Sequence, residues 1–160
     1  MKTLEIVIET PRNSHQKYKY DKRSGSFKLS NLLPLGMCFP YDFGFLPGTK
    51  AEDGDPIDVM VISEFISFPG CRIDGRLIGV LTATQEEKGK AIRNDRYFFI
   101  PENSVTFKHI DNIKDFPKEH LKQLLFFFIT YNEEKNRKFN PLKVHNASKA
   151  EKLLLKAIEK

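Results

Sequence analysis

The sequence predicts an α+β domain, in which a small antiparallel β-barrel or compact sheet carries two helices. Strand-like segments come first along the chain and helix-like segments come last, an order typical of α+β domains. The chain has 160 residues, 40% of them hydrophobic and 29% charged, as in one ordinary globular domain. We therefore expect a single domain over residues 1–160.

Alternation of apolar and polar residues predicts the first strand over residues 3–9. Leu4, Ile6 and Ile8 share one face of this segment. Short segments between turn-forming residues predict the remaining strands. These segments cover residues 17–21, 26–29, 57–62, 76–84 and 96–100.

The segment from residue 31 to residue 48 is predicted as a loop. Proline and glycine, which favour turns, recur along it. It also contains four aromatic residues, Phe39, Tyr41, Phe43 and Phe45. We expect this aromatic loop to lie against the body of the domain.

Helical spacing of apolar residues predicts two helices in the last third of the chain. The first is expected to begin near Asp115, with Pro117 in its first turn, and to end near Tyr131. The second is expected to begin near Ser148, which forms a capping-box pattern with Glu151.

Composition excludes several classes of protein. No apolar run approaches the roughly 20 residues that a membrane span requires, and the chain begins with strand-like alternation rather than a signal-peptide core. Cys38 and Cys71 fit neither a disulfide scaffold nor a metal motif, so we expect reduced cysteines and a cytoplasmic protein. The net charge of +5 is spread along the chain, so it bears on solubility and does not indicate a binding site.

An acidic loop at residues 53–58, with the sequence Asp-Gly-Asp-Pro-Ile-Asp, indicates metal chemistry. Three carboxylates fall within six residues just before an apolar strand. Mg²⁺ prefers oxygen ligands and usually takes one or two carboxylates together with waters and substrate phosphates. A solvated acidic turn is the alternative interpretation. An EF-hand is excluded because its sixth position requires glycine, whereas the sixth residue here is Asp58.

The stretch Asp-Gly-Asp-Pro-Ile-Asp-Val at residues 53–59 resembles the signature of the family I soluble inorganic pyrophosphatases. Other stretches resemble that family in the matching order, at residues 8–11, 17–18, 21–25, 39–45, 69–70, 78–81 and 127–131. The resemblance implies an OB-like five-stranded β-barrel with two C-terminal helices packed on it. It also implies Mg²⁺-dependent hydrolysis of pyrophosphate to two phosphates, with Mn²⁺ as a second usable metal, and a homo-oligomer, commonly a hexamer in bacteria.

The resemblance also implies roles for individual residues. Asp53 and Asp58 would bind the metal, with Glu9 in its outer shell. Asp55 would accept the proton of the attacking water. The residues expected to hold phosphate oxygens are Lys17, Arg96, Tyr131 and Lys138.

Several positions depart from the family pattern. A second pair of metal-binding aspartates falls on Gln85 and, by an ungapped count, on Asn94. Nearby acids are possible substitutes, namely Glu86, Glu87 and Asp95. Arg96 stands where a lysine is expected. Lys19 stands where glutamate is expected, Asn31 where arginine is expected and Asn132 where lysine is expected. Phe39 and Phe43 stand where tyrosines are expected.

Three functional hypotheses follow. The first is a divergent, slower Mg²⁺-dependent pyrophosphatase, which relies on the intact acidic loop. The second is a non-catalytic pyrophosphatase-like protein that binds a phosphate-bearing ligand or a protein partner. The third is a basic barrel that binds nucleic acid through stacked aromatic residues, a hypothesis that the three aspartates weigh against.

Overall fold

The computed structural model describes residues 3–158, which contain nine strands, two α-helices and one short 3₁₀ turn. The strands are β1 (Thr3–Thr10), β2 (Gln16–Asp21), β3 (Ser26–Leu32), β4 (Asp42–Leu46), β5 (Ile57–Val61), β6 (Arg72–Glu87), β7 (Lys90–Arg93), β8 (Arg96–Pro101) and β9 (Lys138–Asn146). The helices are α1 (Lys118–Glu133) and α2 (Ala147–Ile158), and the 3₁₀ turn spans Ile113–Asp115. Neither α-helix is long and apolar enough to cross a membrane.

Five strands close into a barrel. The pairs β1–β4, β4–β5, β5–β8, β8–β6 and β6–β1 complete a ring, so the predicted OB-like five-stranded barrel is confirmed. Four of these pairs are antiparallel, and β5–β8 is parallel. The 16-residue strand β6 also pairs with β7 and β9 beyond the ring. The predicted hairpin forms as the separate two-stranded sheet β2–β3.

The barrel strands are buried on both faces. Along β5, Val59 and Val61 enter an apolar core that includes residues of α2. Met60 and Ile62 enter a second core, rich in phenylalanine, that includes residues of α1. Full burial of such side chains stabilises the fold by about 1.5–3 kcal/mol each. The two helices thus seal opposite sides of the strands that carry the acidic loop.

The predicted loop at residues 31–48 contains a strand that the sequence analysis missed. Strand β4 is buried at every position, and Gly44 lies at its centre. A Cβ atom at Gly44 would lie 2.1 Å from the carbonyl oxygen of Val7, so glycine here permits close strand packing rather than a turn. Phe39, Phe43 and Phe45 are buried, as expected of a pinned segment. They are therefore not free to stack on nucleic-acid bases.

The helix boundaries differ from the predicted ones in detail. Helix α1 begins at Lys118, with Pro117 as its N-cap, and Asp115 belongs to the preceding 3₁₀ turn. Helix α2 begins at Ala147, and the Oδ1 atom of Asn146 accepts the backbone N–H of Lys149. The predicted capping box at Ser148 was wrong, because the cap is taken by the asparagine that precedes the helix.

Strands β7 and β9 were also missed. Strand β9 lies between the two helices and pairs with the second half of β6. It contains Pro141 beside a register shift, and its polar composition hides its strand character. Cys38 and Cys71 are free thiols, in agreement with their predicted reduced state.

Candidate active site

The acidic loop is folded by its own hydrogen bonds. The backbone N–H of Ala51 donates to the carbonyl of Asp55, and the N–H of Gly54 donates to the carbonyl of Ala51. The Oδ1 atom of Asp53 accepts the N–H of Asp55 at 3.0 Å. Gly54 has φ +86°, a left-handed conformation that glycine adopts without strain. These bonds place three carboxylates at the mouth of β5.

A cleft of about 430 Å³ opens over this loop. Seven of the eight predicted site residues line it, namely Glu9, Lys17, Asp53, Asp55, Asp58, Arg96 and Tyr131. The eighth, Lys138, is an exposed residue at the start of β9 and is not among the residues that line the cleft. Lys135 and Arg137, which the sequence analysis did not single out, line the cleft instead. They follow the end of α1, and their position depends on the unpredicted return into β9.

A second cavity, of about 480 Å³, lies on the other side of the same loop against α2. Asp53 and Asp58 line both cavities. The second cavity lacks Glu9, Lys17 and Tyr131, so the predicted chemistry converges in the first cleft.

Glu9 is a buried carboxylate at the end of β1, only 6% exposed. Burial raises its pKa, and the backbone N–H of Tyr20, which donates to Oε1 at 2.7 Å, opposes that rise. The charges of Lys17 and Asp58 also act on it. A negative charge on Glu9 is therefore costly at this position, close to the acidic loop.

Asp58 is paired with Arg96. The Nη1 atom of Arg96 lies 2.7 Å from Oδ2 of Asp58. Arg96 is 5% exposed, and its guanidinium lies within 6 Å of the rings of Phe43, Phe128 and Phe139. Packing on three rings fixes this cation in place.

Asp55 is paired with Lys19. The Nζ atom of Lys19 lies 2.5 Å from Oδ2 of Asp55, and the two side chains are 49% and 52% exposed. Lys17 and Lys19 are two positions apart on β2, so both project from the same face of that strand. Lys19 stands where the family resemblance leads one to expect glutamate, and it brings a positive charge to the loop.

Gln85 and Asn94 lie together in the cleft as a neutral pair. The Nδ2 atom of Asn94 donates to Oε1 of Gln85 at 2.8 Å, and Oδ1 of Asn94 accepts a hydrogen bond from Nη1 of Arg96. Both amides are buried. The proximity of the two side chains agrees with the ungapped count that matched them to a second pair of aspartates.

The three acids nearby lie outside the cleft, and two of them pair with arginines. The Oδ1 atom of Asp95 accepts hydrogen bonds from Nε of Arg93 and from the N–H of Ala83. Glu87 forms an ion pair with Arg137 at 2.9 Å. Neither Asp95 nor Glu87 lines the cleft, and neither does Glu86.

The end of the cleft formed by α1 is basic and aromatic. Lys17 Nζ lies 5.3 Å from the ring centre of Phe43 and 5.5 Å from that of Tyr131. Lys135 Nζ lies 2.6 Å from the hydroxyl of Tyr131, and burial lowers the pKa of this lysine. The amide of Asn132 is occupied by a bond to the carbonyl of Phe128.

Three other departures from the family pattern, Phe39, Phe43 and Asn31, do not line the cleft. Phe39 and Phe43 lie in the aromatic core and carry no hydroxyl toward the cleft. Asn31 lines a small separate depression outside the cleft.

The donor set suits a divalent cation that completes its shell with other ligands. Within residues 3–158, no three His, Cys, Asp or Glu side chains converge closely enough to hold a metal by themselves. Asp55 and Asp58 each contact a protein cation, and the amide pair adds no charge. Because Mg²⁺ usually takes one or two carboxylates and completes its shell with waters and phosphate oxygens, Asp53 and Asp58 fit a single Mg²⁺ ion.

Comparisons with known proteins agree with this geometry. The sequence profile of the family described as inorganic pyrophosphatase matches residues 6–160. The inorganic pyrophosphatase of Halalkalibacterium halodurans is 37% identical over 155 residues, which cover 96% of this chain and 91% of that protein. That of Geobacillus stearothermophilus is 39% identical over 134 residues, covering 82% of this chain and 78% of that protein.

Solved structures give the same result. The inorganic pyrophosphatase of Helicobacter pylori superposes with a TM-score of 0.91 at 31% identity, covering 99% of this chain and 92% of that one. The Thermus thermophilus enzyme of that name superposes with a TM-score of 0.90 at 30% identity, covering 98% and 90%.

Proposed function

Because the chain belongs to the inorganic pyrophosphatase family, we propose that it hydrolyses pyrophosphate to two phosphates in the cleft over the acidic loop. One observation carries this proposal: Asp53, Asp55 and Asp58 share a single cleft with Lys17 and Tyr131. Carboxylates beside phosphate-binding cations are the groups that metal-assisted phosphoryl transfer requires.

The basic side of the cleft would bind the substrate. Lys17, Lys135 and Arg137 present positive charge along it, and Arg96 contributes a fixed guanidinium at its base. Positive groups of this kind position the phosphoryl group and offset the charge that spreads over its oxygens in the transition state. The hydroxyl of Tyr131, held by Lys135, would donate to a phosphate oxygen. Lys138 has no part in this arrangement.

Asp53 and Asp58 would hold one Mg²⁺ ion, or Mn²⁺ in its place, with Glu9 beyond them as a further negative charge. When bound, the ion neutralises charge on the diphosphate and lowers the pKa of coordinated water. Arg96, which contacts Asp58, would keep that carboxylate oriented while the substrate enters.

Asp55 would act as the proton acceptor. A water attacks one phosphorus, the bond from that phosphorus to the bridging oxygen breaks, and phosphate leaves with the bridging oxygen. The carboxylate of Asp55 takes the proton lost by the attacking water. Since Oδ2 of Asp55 contacts the ammonium of Lys19, this lysine must move before that oxygen can act.

We expect the turnover to be reduced. Loss of one preorganised donor to transition-state charge can cost about 10²–10³ in rate, and such losses are not additive. The missing hydroxyls at Phe39 and Phe43 are losses of this kind. The neutral Gln85–Asn94 pair is a loss of another kind, because it offers no carboxylate to a metal ion. The acidic loop, Lys17 and Tyr131 remain in place to support the reaction.

We further propose a cytoplasmic homo-oligomer, with the hexamer as the expected form. Large apolar side chains are exposed on the single chain, among them Leu32, Leu35, Phe68 and Phe126. Within α1, Phe127 and Phe128 are buried and Phe126 is 69% exposed. Self-association would remove such surface from water.

Phosphate release from Mg²⁺-pyrophosphate tests the proposed reaction. Purified protein is expected to release phosphate, and Asp55→Asn to lower the rate by about 10²-fold or more. Asp74→Asn is a matched control, because Asp74 is an exposed aspartate on β6 outside the cleft. Equal rates for the wild-type chain and Asp55→Asn would refute the role of the loop.

A further inference from the structure

Two protein cations contact the acidic loop, and they differ in how firmly they are held. Arg96 is 5% exposed, comes from barrel strand β8 and packs among aromatic rings. Lys19 comes from the two-stranded sheet β2–β3, outside the barrel, and its side chain is half exposed. A flexible, half-exposed lysine pair is weak and easily broken, whereas a packed, buried guanidinium is not.

The contact of Lys19 has a direct consequence for Asp55. Both residues belong to the cleft, and the 2.5 Å contact places an ammonium on the carboxylate assigned to accept a proton. The ammonium therefore occupies an oxygen of this carboxylate, and a cation in this place repels an incoming metal ion. The same lysine also lies in the field of Glu9 and Asp58.

We infer that Lys19 is a displaceable internal cation of this site, which occupies the acidic loop in the absence of metal and yields to a divalent ion. Arg96 stays on Asp58 throughout, so the loop keeps one built-in positive charge and accepts one free ion beside it. This inference deepens the proposed function, because it rests on the same acidic loop.

Once released from Asp55, Lys19 would be able to bind the substrate. Lys17 and Lys19 project from one face of β2 toward the cleft. Once Asp55 is free, the ammonium of Lys19 can turn to the phosphate oxygens that Lys17 also faces. Lys19 would then be a substrate-binding and positioning residue, coupling the arrival of metal to the freeing of Asp55.

Direct metal binding tests the inference without turnover. Mn²⁺ affinity is measured by electron paramagnetic resonance of the free ion, with no pyrophosphate present. Lys19→Gln is expected to tighten Mn²⁺ binding about two- to fivefold, and Lys19→Glu to tighten it by a further step of similar size. Thermal unfolding of each variant checks that it is folded.

The matched control is Lys28, the cross-strand neighbour of Lys19 on β3, which pairs with Asp21 instead. Lys28→Gln and Lys28→Glu change the charge by the same amounts and are expected to leave Mn²⁺ affinity within about twofold of the unmodified chain. In an Asp55→Asn background the effect of Lys19→Gln should be smaller, because the ion pair between the two side chains is already absent.

Equal effects at Lys19 and Lys28, an unchanged Lys19 effect in Asp55→Asn, or absence of Mn²⁺ binding from the whole series would overturn the inference. The outcome is separate from that of the hydrolysis assay. A graded Mn²⁺ response without hydrolysis would support the role of Lys19 and refute the enzyme. Hydrolysis of pyrophosphate together with an Mn²⁺ affinity that does not change in the Lys19 variants would support the enzyme and refute the role of Lys19.

Discussion

Arg96 Nη1 lies 2.7 Å from Asp58 Oδ2, across the parallel pair of strands in the barrel. Val59 stands opposite Tyr97 in this register, so Asp58 and Arg96 stand side by side at the same end of β5 and β8. The barrel thus fixes a positive charge at the acidic loop. The Nε atom of Arg96 is buried and has no hydrogen-bond partner within the described residues, which adds to the cost of holding the guanidinium there.

Replacement of Arg96 by methionine should destabilise the protein. Removing one partner of a buried pair leaves the other charge uncompensated, at a cost of about 3–5 kcal/mol. The lower end is expected, because the side chain of Asp58 keeps 26% exposure. Urea unfolding in EDTA measures the loss. Added Mg²⁺ should recover part of it by binding the freed carboxylate, and a loss that Mg²⁺ leaves unchanged would contradict the proposed metal position.

Gln85→Glu should strengthen metal binding. The new carboxylate can still accept the Nδ2–H of Asn94, and its second oxygen adds a negative charge to the cleft. We expect about tenfold tighter Mn²⁺ binding, since ligand charge tunes the affinity of such sites. Gln123→Glu, on the exposed face of α1, makes the same chemical change away from the cleft and should have no effect. Equal effects of the two substitutions would argue against a metal site beside Gln85.

Glu9→Gln should stabilise the metal-free protein at neutral pH. Burial raises the pKa of Glu9 above its ordinary value of 4.5, so above that pH the folded chain binds more protons than the unfolded chain. The free energy of unfolding therefore falls as pH rises through the folded-state pKa. The glutamine side chain of the variant keeps an oxygen acceptor for the N–H of Tyr20 and removes this dependence. Thermal unfolding in EDTA should show a midpoint about 2–4 °C higher at pH 7 and no gain at about pH 4. A lower midpoint at pH 7 would contradict the proposed cost of this charge.

Glu64→Ala should loosen the segment after β8. Slight desolvation acts to raise the pKa of the exposed Glu64, but hydrogen bonds from Ser104, Val105 and Thr106 outweigh it and lower the pKa to about 2. This stabilisation is present above pH 4.5 and is lost as pH falls through about 2. Urea unfolding should show a loss of about 0.5–1 kcal/mol at pH 7, because solvent screens the interactions of an exposed carboxylate. The difference between the two proteins should shrink as the pH is lowered toward 2, and a difference independent of pH would exclude the carboxylate as its source.

The sequence predicted the parts of the fold that depend on local pattern. Alternation located β1, the turn at residues 22–25 located the β2–β3 hairpin, and apolar runs located β5 and β8. Strand β4 escaped prediction because Gly44 is typical of turns, whereas here it allows close contact with Val7. Strand β9 escaped because its partner is the distant half of β6, which no local pattern reveals.

The candidate site also has a part that local sequence predicts and a part that depends on distant contacts. The acidic loop is one continuous motif, so its three aspartates could be singled out from the sequence as candidates. The pairing of Lys19 with Asp55 joins residues 36 positions apart, and only the placement of β2 over the loop brings them together. Lys135 and Arg137 were missed for a similar reason, because they reach the cleft through the turn between α1 and β9.

The most direct test of the account is the dependence of hydrolysis on free Mg²⁺. Initial rates of phosphate release are measured while the concentration of the Mg²⁺-pyrophosphate complex is held constant and free Mg²⁺ is varied. A site that takes one free ion, with Arg96 as its fixed cation, predicts a rate that rises no more steeply than the first power of free Mg²⁺ and then reaches a plateau. A sigmoidal rise, as two or more free ions would give, or no hydrolysis at any concentration, would contradict it.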